Sequence, residues 1–235
     1  MRLLVTRPES DGEQTAAVLR ARGHEVLLAP LLRIEPVAAD FGTGPFAGVL
    51  LTSANAARAL MSHPRRNEVL GLPGLTVGGK TLTAARDAGF AEALSADGDG
   101  RDLVRLAAAR FGTGGGPLLY LAGEAQSVDL AADLARHGIS VHTVVVYRAV
   151  QENDFPAAAR MALEAGGLDG VLHYSRRSAE AFVHCSKALR AAALALDHYC
   201  LSEAVTGPLL DAGATRVRVA AHPDEAALLA VIPLP

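Results

Sequence analysis

The sequence predicts an α/β protein with parallel sheets whose faces are covered by helices. Along its 235 residues, short apolar runs alternate with longer amphipathic runs, which is the pattern of strand–helix units in parallel sheets. The short runs are apolar throughout and not at every second position, as expected for strands buried on both faces. A third observation, the repetition of whole strand–helix segments, extends the prediction to two similar domains.

The predicted elements follow a regular order, beginning with a strand over 3–5 and a helix over 11–22. Gly23 follows that helix, at the position where glycine most often ends one. Aliphatic runs predict further strands over 25–32, 49–51, 75–77, 118–121, 141–147, 171–174, 199–201 and 217–219. The intervening runs predict helices over 54–61, 80–88, 127–136, 178–188 and 203–211, and a last helix after the turn at 222–224. The glycine-rich residues 112–116 precede a strand and are predicted to form a loop.

Three pairs of segments resemble each other. Residues 48–60 (GVLLTSANAARAL) and 170–182 (GVLHYSRRSAEAF) share Gly, Val and Leu, then a Ser and two Ala in step. The second pair is LTVGGKTLTAARDAGF with YCLSEAVTGPLLDAGA, and the third is LLVTRPESDGEQTAAVLRARGHEV with LLYLAGEAQSVDLAADLARHGISV. Each pair contains a strand followed by a helix, so one structural unit is written twice.

The order of the repeats predicts the domain plan. The middle of the chain holds one copy of all three, the C-terminal part holds two, and the N-terminus holds the missing third. We therefore expect a continuous inserted domain over 38–146 and a discontinuous domain made of 1–35 and 151–235. Residues 33–39 and 147–154 would be the crossings between them. The alternative is chance similarity between segments rich in alanine and leucine.

Composition excludes several classes of function. The formal net charge of −3 argues against a protein that binds nucleic acid through a basic surface. Cys185 and Cys200 lack metal-site spacing, so we expect reduced core thiols. Neither a phosphate loop, nor a dinucleotide fingerprint, nor a nucleophile elbow is present, and we expect no cofactor and no metal. With no signal peptide or long apolar run, we expect a cytoplasmic protein that does not bind a membrane.

Polar residues and glycines cluster where the predicted strands end and helices begin. In parallel sheets ligands bind beyond the carboxyl ends of the strands, and two domains joined by two crossings would enclose a cleft there. Helix starts carry unpaired N–H groups and partial positive charge, so several of them could hold a polycarboxylate. Ordinary helix capping is the alternative for each residue. The candidate ligand-binding residues are Arg7, Thr52, Ser53, Asn55, Gly78, Thr81, Ala122, Gly123, Ser175, Arg176, Ser178 and Ser202.

The motifs VTRPE, PLLRIEP, LLTSANAARAL, TVGGKT, VVVYRAV and CLSEAV occur in this order over essentially the whole chain. Together they resemble the uroporphyrinogen-III synthase family. The resemblance implies two flavodoxin-like, three-layer α/β domains with parallel sheets, one of them discontinuous, joined by a two-stranded linker. It also implies a hydro-lyase of haem biosynthesis that cyclises hydroxymethylbilane to uroporphyrinogen III, with inversion of ring D and loss of water, and without metal or cofactor.

The resemblance implies further properties. We expect hand-over of the linear tetrapyrrole substrate from hydroxymethylbilane synthase. Independently of the resemblance, we expect a monomer, because the repeated domains leave no obvious third apolar face. Loss of the hydroxymethyl group's oxygen as water leaves an azafulvene, which ring D attacks to form a spiro intermediate before the ring closes. Unaided closure gives the unrotated isomer, so the enzyme's task is to hold the substrate folded. The alternative is a non-catalytic two-lobed small-molecule-binding module of the same fold.

The resemblance implies roles for individual site residues. Tyr147 matches the tyrosine that assists departure of the hydroxyl group; alternatively it is a half-buried, hydrogen-bonded tyrosine at the end of a linker strand. Thr52 and Ser53 match a strand end that meets carboxylates, and Thr81 matches a threonine that faces the same site. Ser175 and Ser178 are their counterparts in the other domain.

The chain departs from the family pattern at two places. Arg176 and Arg177 stand between two serines where members often have Ser-Pro-Ser. These arginines either bind carboxylates or begin a solvated helix face. Ala204 and Val205 stand where some members place paired threonines, which leaves Ser202 and the backbone as candidates there.

Overall fold

The computed structural model describes residues 1–126 and 128–234, with the side chain of Ser10 excepted. The predicted helix over 127–136 thus begins at Ser127, outside the described residues. Its strands are β1 (Arg2–Val5), β2 (Glu25–Leu28), β3 (Leu32–Pro36), β4 (Gly48–Leu51), β5 (Gly74–Thr76), β6 (Ala93–Ser95), β7 (Leu118–Gly123), β8 (Val141–Gln151), β9 (Gly170–His173), β10 (Asp197–Cys200) and β11 (Val217–Val219). Its α-helices are α1 (Glu9–Ala21), α2 (Ala54–Met61), α3 (Gly79–Ala88), α4 (Gly100–Phe111), α5 (Leu130–Ala135), α6 (Ala157–Glu164), α7 (Arg176–Cys185), α8 (Arg190–Leu194), α9 (Glu203–Ala212) and α10 (Glu225–Ala230).

The chain divides into two compact units. Unit 1 comprises Met1–Arg33 and Val150–Pro235, and unit 2 comprises Ile34–Ala149. The unit boundaries fall inside β3 and β8. Each unit has its own sheet and its own hydrophobic core.

The sheet of unit 1 has a flavodoxin-like strand order. Its described strands are arranged β11-β10-β9-β1-β2, and neighbouring strands pair in parallel. Counted along the chain within the unit, the order is 2-1-3-4-5, with its topological switch point between β1 and β9. In the two switch-point strands, Leu3–Val5 of β1 and Val171–Leu172 of β9 are apolar and completely buried, as expected for strands covered by helices on both faces.

The sheet of unit 2 has the same order after a circular permutation. The strands lie in the order β3-β8-β7-β4-β5-β6 among the described residues, and the pairs β7–β8, β4–β7, β4–β5 and β5–β6 are parallel. If β7 is counted first, β8-β7-β4-β5-β6 is again 2-1-3-4-5, and β3 extends the edge. The two segments of the third sequence repeat therefore form equivalent strand–helix–strand units, β1-α1-β2 in unit 1 and β7-α5-β8 in unit 2. The predicted α/β fold with two mostly parallel sheets is confirmed.

The first repeat begins with glycine in both units for a steric reason. A Cβ atom added to Gly48 would lie 2.5 Å from Cζ of Phe111, and one added to Gly170 would lie 2.7 Å from Cε2 of Tyr199. In each unit an aromatic ring therefore packs directly against the start of a central strand.

Several predicted elements need correction. The strand predicted over 25–32 is wrong in extent, because β2 ends at Leu28 and β3 begins at Leu32; Pro30 between them has no N–H for a ladder. The helix predicted over 178–188 begins at Arg176, and 3-10 turns follow it from Ser186. The glycine-rich loop before β7 is as predicted. Elements missed from the sequence are β6, α4, α6 and α8.

A pair of histidines is buried in the core of unit 1. His173 ends β9 and His198 lies on the neighbouring β10. Their rings stack with centroids 5.4 Å apart, and Nε2 of His173 lies 3.1 Å from Nδ1 of His198. Burial, followed by the charge of His198, holds the pKa of His173 well below its usual value. Burial likewise lowers the pKa of His198 to about 4.

We expect this pair to make the fold sensitive to acid. Both pKa values are lower in the folded than in the unfolded chain, so below pH ~6.5 the unfolded chain binds more protons and stability falls until pH ~4. Denaturant unfolding at pH 7.5 and 4.5 should show the wild type losing at least about 3 kcal/mol more than the double variant His173→Leu/His198→Leu, because His198 alone contributes ~1.4 kcal/mol per pH unit over the part of this range below pH ~6.5. Leucine suits this position, because Leu51 corresponds to His173 in the first sequence repeat. Parallel pH profiles for the two proteins would contradict this expectation.

Candidate active site

In unit 2, some of the predicted residues line a pocket at the carboxyl ends of the strands, whereas Asn55, Gly78 and Thr81 are not part of its lining. The pocket has a volume of about 310 Å³, and Thr52, Ser53, Gly123 and Tyr147 all line it. Thr52 follows β4 and Gly123 ends β7, and these neighbouring strands form the switch point of this sheet. Ligands of open parallel sheets bind at this position.

The position of Tyr147 depends on a bulge between β7 and β8. Ala122 pairs with Val145 but Gly123 pairs with Tyr147, so the register shifts by one residue. Bulges of this kind redirect a side chain. A Cβ atom on Gly123 would lie 2.6 Å from Cζ of Tyr147, so the phenol ring rests directly on the glycine.

Tyr147 lines the pocket, and its hydroxyl group has no hydrogen-bond partner among the described residues. The residue is half-buried. The purely structural alternative for Tyr147 requires such a bond. An unpaired phenol in a pocket is available to hydrogen-bond a ligand.

Two helices begin beside this edge in different ways. Ser53 caps α2 by accepting a hydrogen bond of 3.1 Å from the backbone N–H of Asn55. The side chain of Asn55 in turn accepts from Arg58 at 2.9 Å. α3 begins after Gly78 without a side-chain cap, and Thr81 in its first turn is buried.

The start of α3 leaves room for a ligand. A Cβ atom on Gly78 or on Gly79 would meet nothing within 4 Å. Neither residue has a positive φ, so neither steric crowding nor backbone conformation requires glycine here. Uncapped N–H groups beside open space suit a carboxylate.

The equivalent helix starts in unit 1 are partly occupied. Ser175 and Ser178 form a reciprocal cap at the start of α7, with both N–H···Oγ distances at 3.1 Å. Arg176 is exposed and donates to Glu180 at 3.0 Å, which is the pairing of a solvated helix face. Ser202 precedes α9 and makes no side-chain cap bond.

A comparison with protein families decides the assignment. The model of the family described as uroporphyrinogen-III synthase HemD matches residues 13–230. This chain belongs to the uroporphyrinogen-III synthase family. Its reaction is therefore the closure of a linear tetrapyrrole to uroporphyrinogen III, a cyclising lyase step of tetrapyrrole and haem biosynthesis.

Solved structures of uroporphyrinogen-III synthases share the fold. An enzyme from Helicobacter pylori is 17% identical, with 98% of each chain covered and a TM-score of 0.66. A mutant enzyme from the extremely thermophilic bacterium Thermus thermophilus is 20% identical, with 98% of this chain and 96% of that chain covered and a TM-score of 0.52. No match is found among curated proteins. No helix among the described residues has the length and apolar character to cross a membrane.

Arg7, a predicted ligand of the synthase site, is already paired inside unit 1. Its guanidinium contacts Asp11 at 3.2 Å and Glu225 at 3.1 Å, and it lies 3.9 Å from the ring centroid of Tyr174. Tyr174 also donates to Glu225 at 2.8 Å. This cluster fills the switch point of unit 1 with the protein's own side chains. A substrate carboxylate would have to displace Asp11 or Glu225 to reach Arg7.

At two positions in β7, the groups available for substrate binding differ from the sequence prediction. The side chain of Ala122 is completely buried in the core of unit 2, so only its backbone remains for a ligand. Tyr120 was missed from the sequence, although its phenol lines the pocket and its hydroxyl lies 2.9 Å from Oγ1 of Thr52. The available signal was one hydroxyl-bearing residue in the otherwise apolar run LLYLAG.

Proposed function

We propose that this chain acts as a hydro-lyase, removing water from hydroxymethylbilane and closing the ring to uroporphyrinogen III with inversion of ring D. The observation that carries the proposal is that Tyr147 lines the switch-point pocket next to the bulge and Gly123, with a hydroxyl group that makes no hydrogen bond to any described residue. Tyr147 would donate a hydrogen bond to the departing hydroxyl group of ring A. The C–O bond breaks and the oxygen leaves as water with one added proton, while the pyrrole N–H of ring A gives up one proton, so that ring A becomes a neutral azafulvene.

Ring inversion requires that the azafulvene be attacked by the substituted end of ring D. The spiro intermediate then fragments and recloses, so the atoms of the substrate other than the lost water are kept. Because the unaided reaction closes to the unrotated isomer, orientation of the substrate is the main contribution of the protein. Holding reacting groups in place can account for a large part of a rate enhancement.

Helix starts are proposed to bind the carboxylates of the substrate. One exposed helix start contributes about 0.3–1 kcal/mol, so several are needed for tight binding. The uncapped starts of α3 and α9 and the serine-capped starts of α2 and α7 supply backbone N–H groups in both units. This mode of binding is compatible with a net charge of −3, because it does not require a basic surface.

The cellular setting is part of the same proposal. We propose a cytoplasmic monomer that needs no cofactor and receives its reactive substrate from hydroxymethylbilane synthase. The two units, with Met1–Arg33 and Val150–Pro235 in one and Ile34–Ala149 in the other, would act as the two domains expected from the repeats. The support is the repetition of one flavodoxin-like strand order in both.

Turnover distinguishes the enzyme from a two-lobed binding module. Hydroxymethylbilane is incubated with protein at a hundredth of the substrate concentration, and its disappearance is compared with a protein-free sample. An enzyme accelerates loss of the entire pool. A binding module protects only an amount equal to its own concentration, and that result would refute the proposal.

A further inference from the structure

Tyr120 is a buried phenol in a strand that otherwise carries no side-chain hydroxyl. The neighbouring residues of β7 are aliphatic and fully buried, and Tyr120 itself is only 3% exposed. Its counterpart in the third sequence repeat is Val5, which lies in the core of unit 1. A phenylalanine or valine would fill such a site without the cost of burying a hydroxyl group.

The hydroxyl of Tyr120 has one partner among the described residues, and that partner is Thr52. Leu50 pairs with Tyr120 in the β4–β7 register, so Thr52 lies just beyond the strand end above the ring. The distance between the two hydroxyl oxygens is 2.9 Å. Both residues line the same pocket as Tyr147.

The direction of this hydrogen bond decides what Thr52 can do. A phenol is a stronger acid than an aliphatic alcohol, so the better arrangement has Tyr120 donating and Thr52 accepting. The hydrogen of Thr52 is then left to point into the pocket. Burial raises the pKa of Tyr120 above the ordinary phenol value, against the opposing effect of its bond to Thr52. Tyr120 therefore keeps its proton throughout the neutral range.

Burial alone does not explain the pair. Tyr199 is a fully buried tyrosine in unit 1, and its hydroxyl has no hydrogen-bond partner among the described residues. The fold thus accommodates a buried phenol without a partner. The pairing of Tyr120 with Thr52 at a pocket wall calls for another reason.

We propose that Tyr120 is a positioning residue: it donates to Oγ1 of Thr52 and so fixes the Thr52 hydroxyl as a hydrogen-bond donor to a substrate carboxylate in the pocket. This inference rests on the proposed function. It assigns substrate binding to Thr52 and leaves departure of the hydroxyl group to Tyr147.

The test measures KM and kcat for hydroxymethylbilane in Tyr120→Phe, Thr52→Val and the double variant. If Tyr120 acts through Thr52, each single variant raises KM about tenfold with kcat within about twofold of wild type. The double variant should raise KM by the same tenfold, because the second change removes nothing further. An increase near a hundredfold, or an unchanged KM in Tyr120→Phe, would overturn the inference.

Controls separate this role from a folding defect. Tyr199→Phe also removes a buried phenol hydroxyl, but Tyr199 belongs to unit 1 and does not line the pocket, so KM should be unchanged. Thr52→Ser keeps the hydroxyl and should restore KM to within about threefold of wild type.

If Tyr120→Phe does not fold, the comparison of Thr52→Ser with Thr52→Val carries the test, and equal KM values would overturn the inference. A wild type without turnover refutes the proposed function itself, whereas an active wild type with a normal Tyr120→Phe variant refutes only the role of Tyr120.

Discussion

The Tyr147→Phe variant is expected to convert hydroxymethylbilane about a hundredfold more slowly than the wild type while remaining folded. Positioned proton donors typically contribute a hundredfold or more to a reaction step. The ring of Tyr147 packs on Gly123, and this packing is unchanged by loss of the hydroxyl oxygen. Because the hydroxyl has no hydrogen bond to a described residue, its loss should not lower the thermal midpoint.

The rate should be measured as kcat with saturating substrate, alongside thermal unfolding of the same preparation. Tyr199→Phe is the matched control, since it also removes one phenol oxygen but in unit 1. A normal kcat in Tyr147→Phe would remove Tyr147 from the catalytic role. An equal loss in Tyr199→Phe would show that the effect is not specific to the pocket.

Adding one methyl group at Gly123 is expected to have a comparable effect by displacing Tyr147. The new Cβ atom of Gly123→Ala would lie 2.6 Å from Cζ and 2.7 Å from the hydroxyl oxygen of Tyr147. The ring must therefore shift by roughly an ångström, and a displacement of that size can cost about a hundredfold in rate. We expect kcat to fall to a level near that of Tyr147→Phe.

Gly71→Ala is the matched control for this substitution. A Cβ atom on Gly71 meets nothing within 4 Å and its φ is not positive, so kcat should be unchanged. The two changes at the pocket should also fail to add, because both remove the same hydroxyl from its position. A wild-type kcat in Gly123→Ala would show that the packing of the Tyr147 ring against Gly123 has no role in turnover.

Much of the fold follows from local sequence patterns. Apolar runs and helix-ending glycines locate most strands and helices, and the order of the repeats anticipates one strand order used twice. The missed helix α4 is charged at many positions, although its cap at Asp99 and the buried Leu103 and Val104 were detectable signals. The error at 25–32 came from weighing apolar character above the missing N–H of Pro30.

The site was less accessible to sequence reasoning, because it depends on contacts between distant residues. Strand ends identified Thr52, Ser53 and Gly123, but the importance of Tyr147 came only from family resemblance. Its bulge could not be read from composition. Glu225 lies 218 positions from Arg7 in the chain, so their ion pair could not be predicted from local sequence patterns.

The measurement that tests this account most directly is the isomer composition of the product made from hydroxymethylbilane. The bilane is incubated with and without a substoichiometric amount of protein, the products are oxidised, and the uroporphyrin isomers are separated. We predict that the protein-containing sample holds predominantly the III isomer, while the protein-free sample holds the I isomer. Formation of the I isomer alone in both samples would contradict the assignment of this chain as the enzyme that inverts ring D.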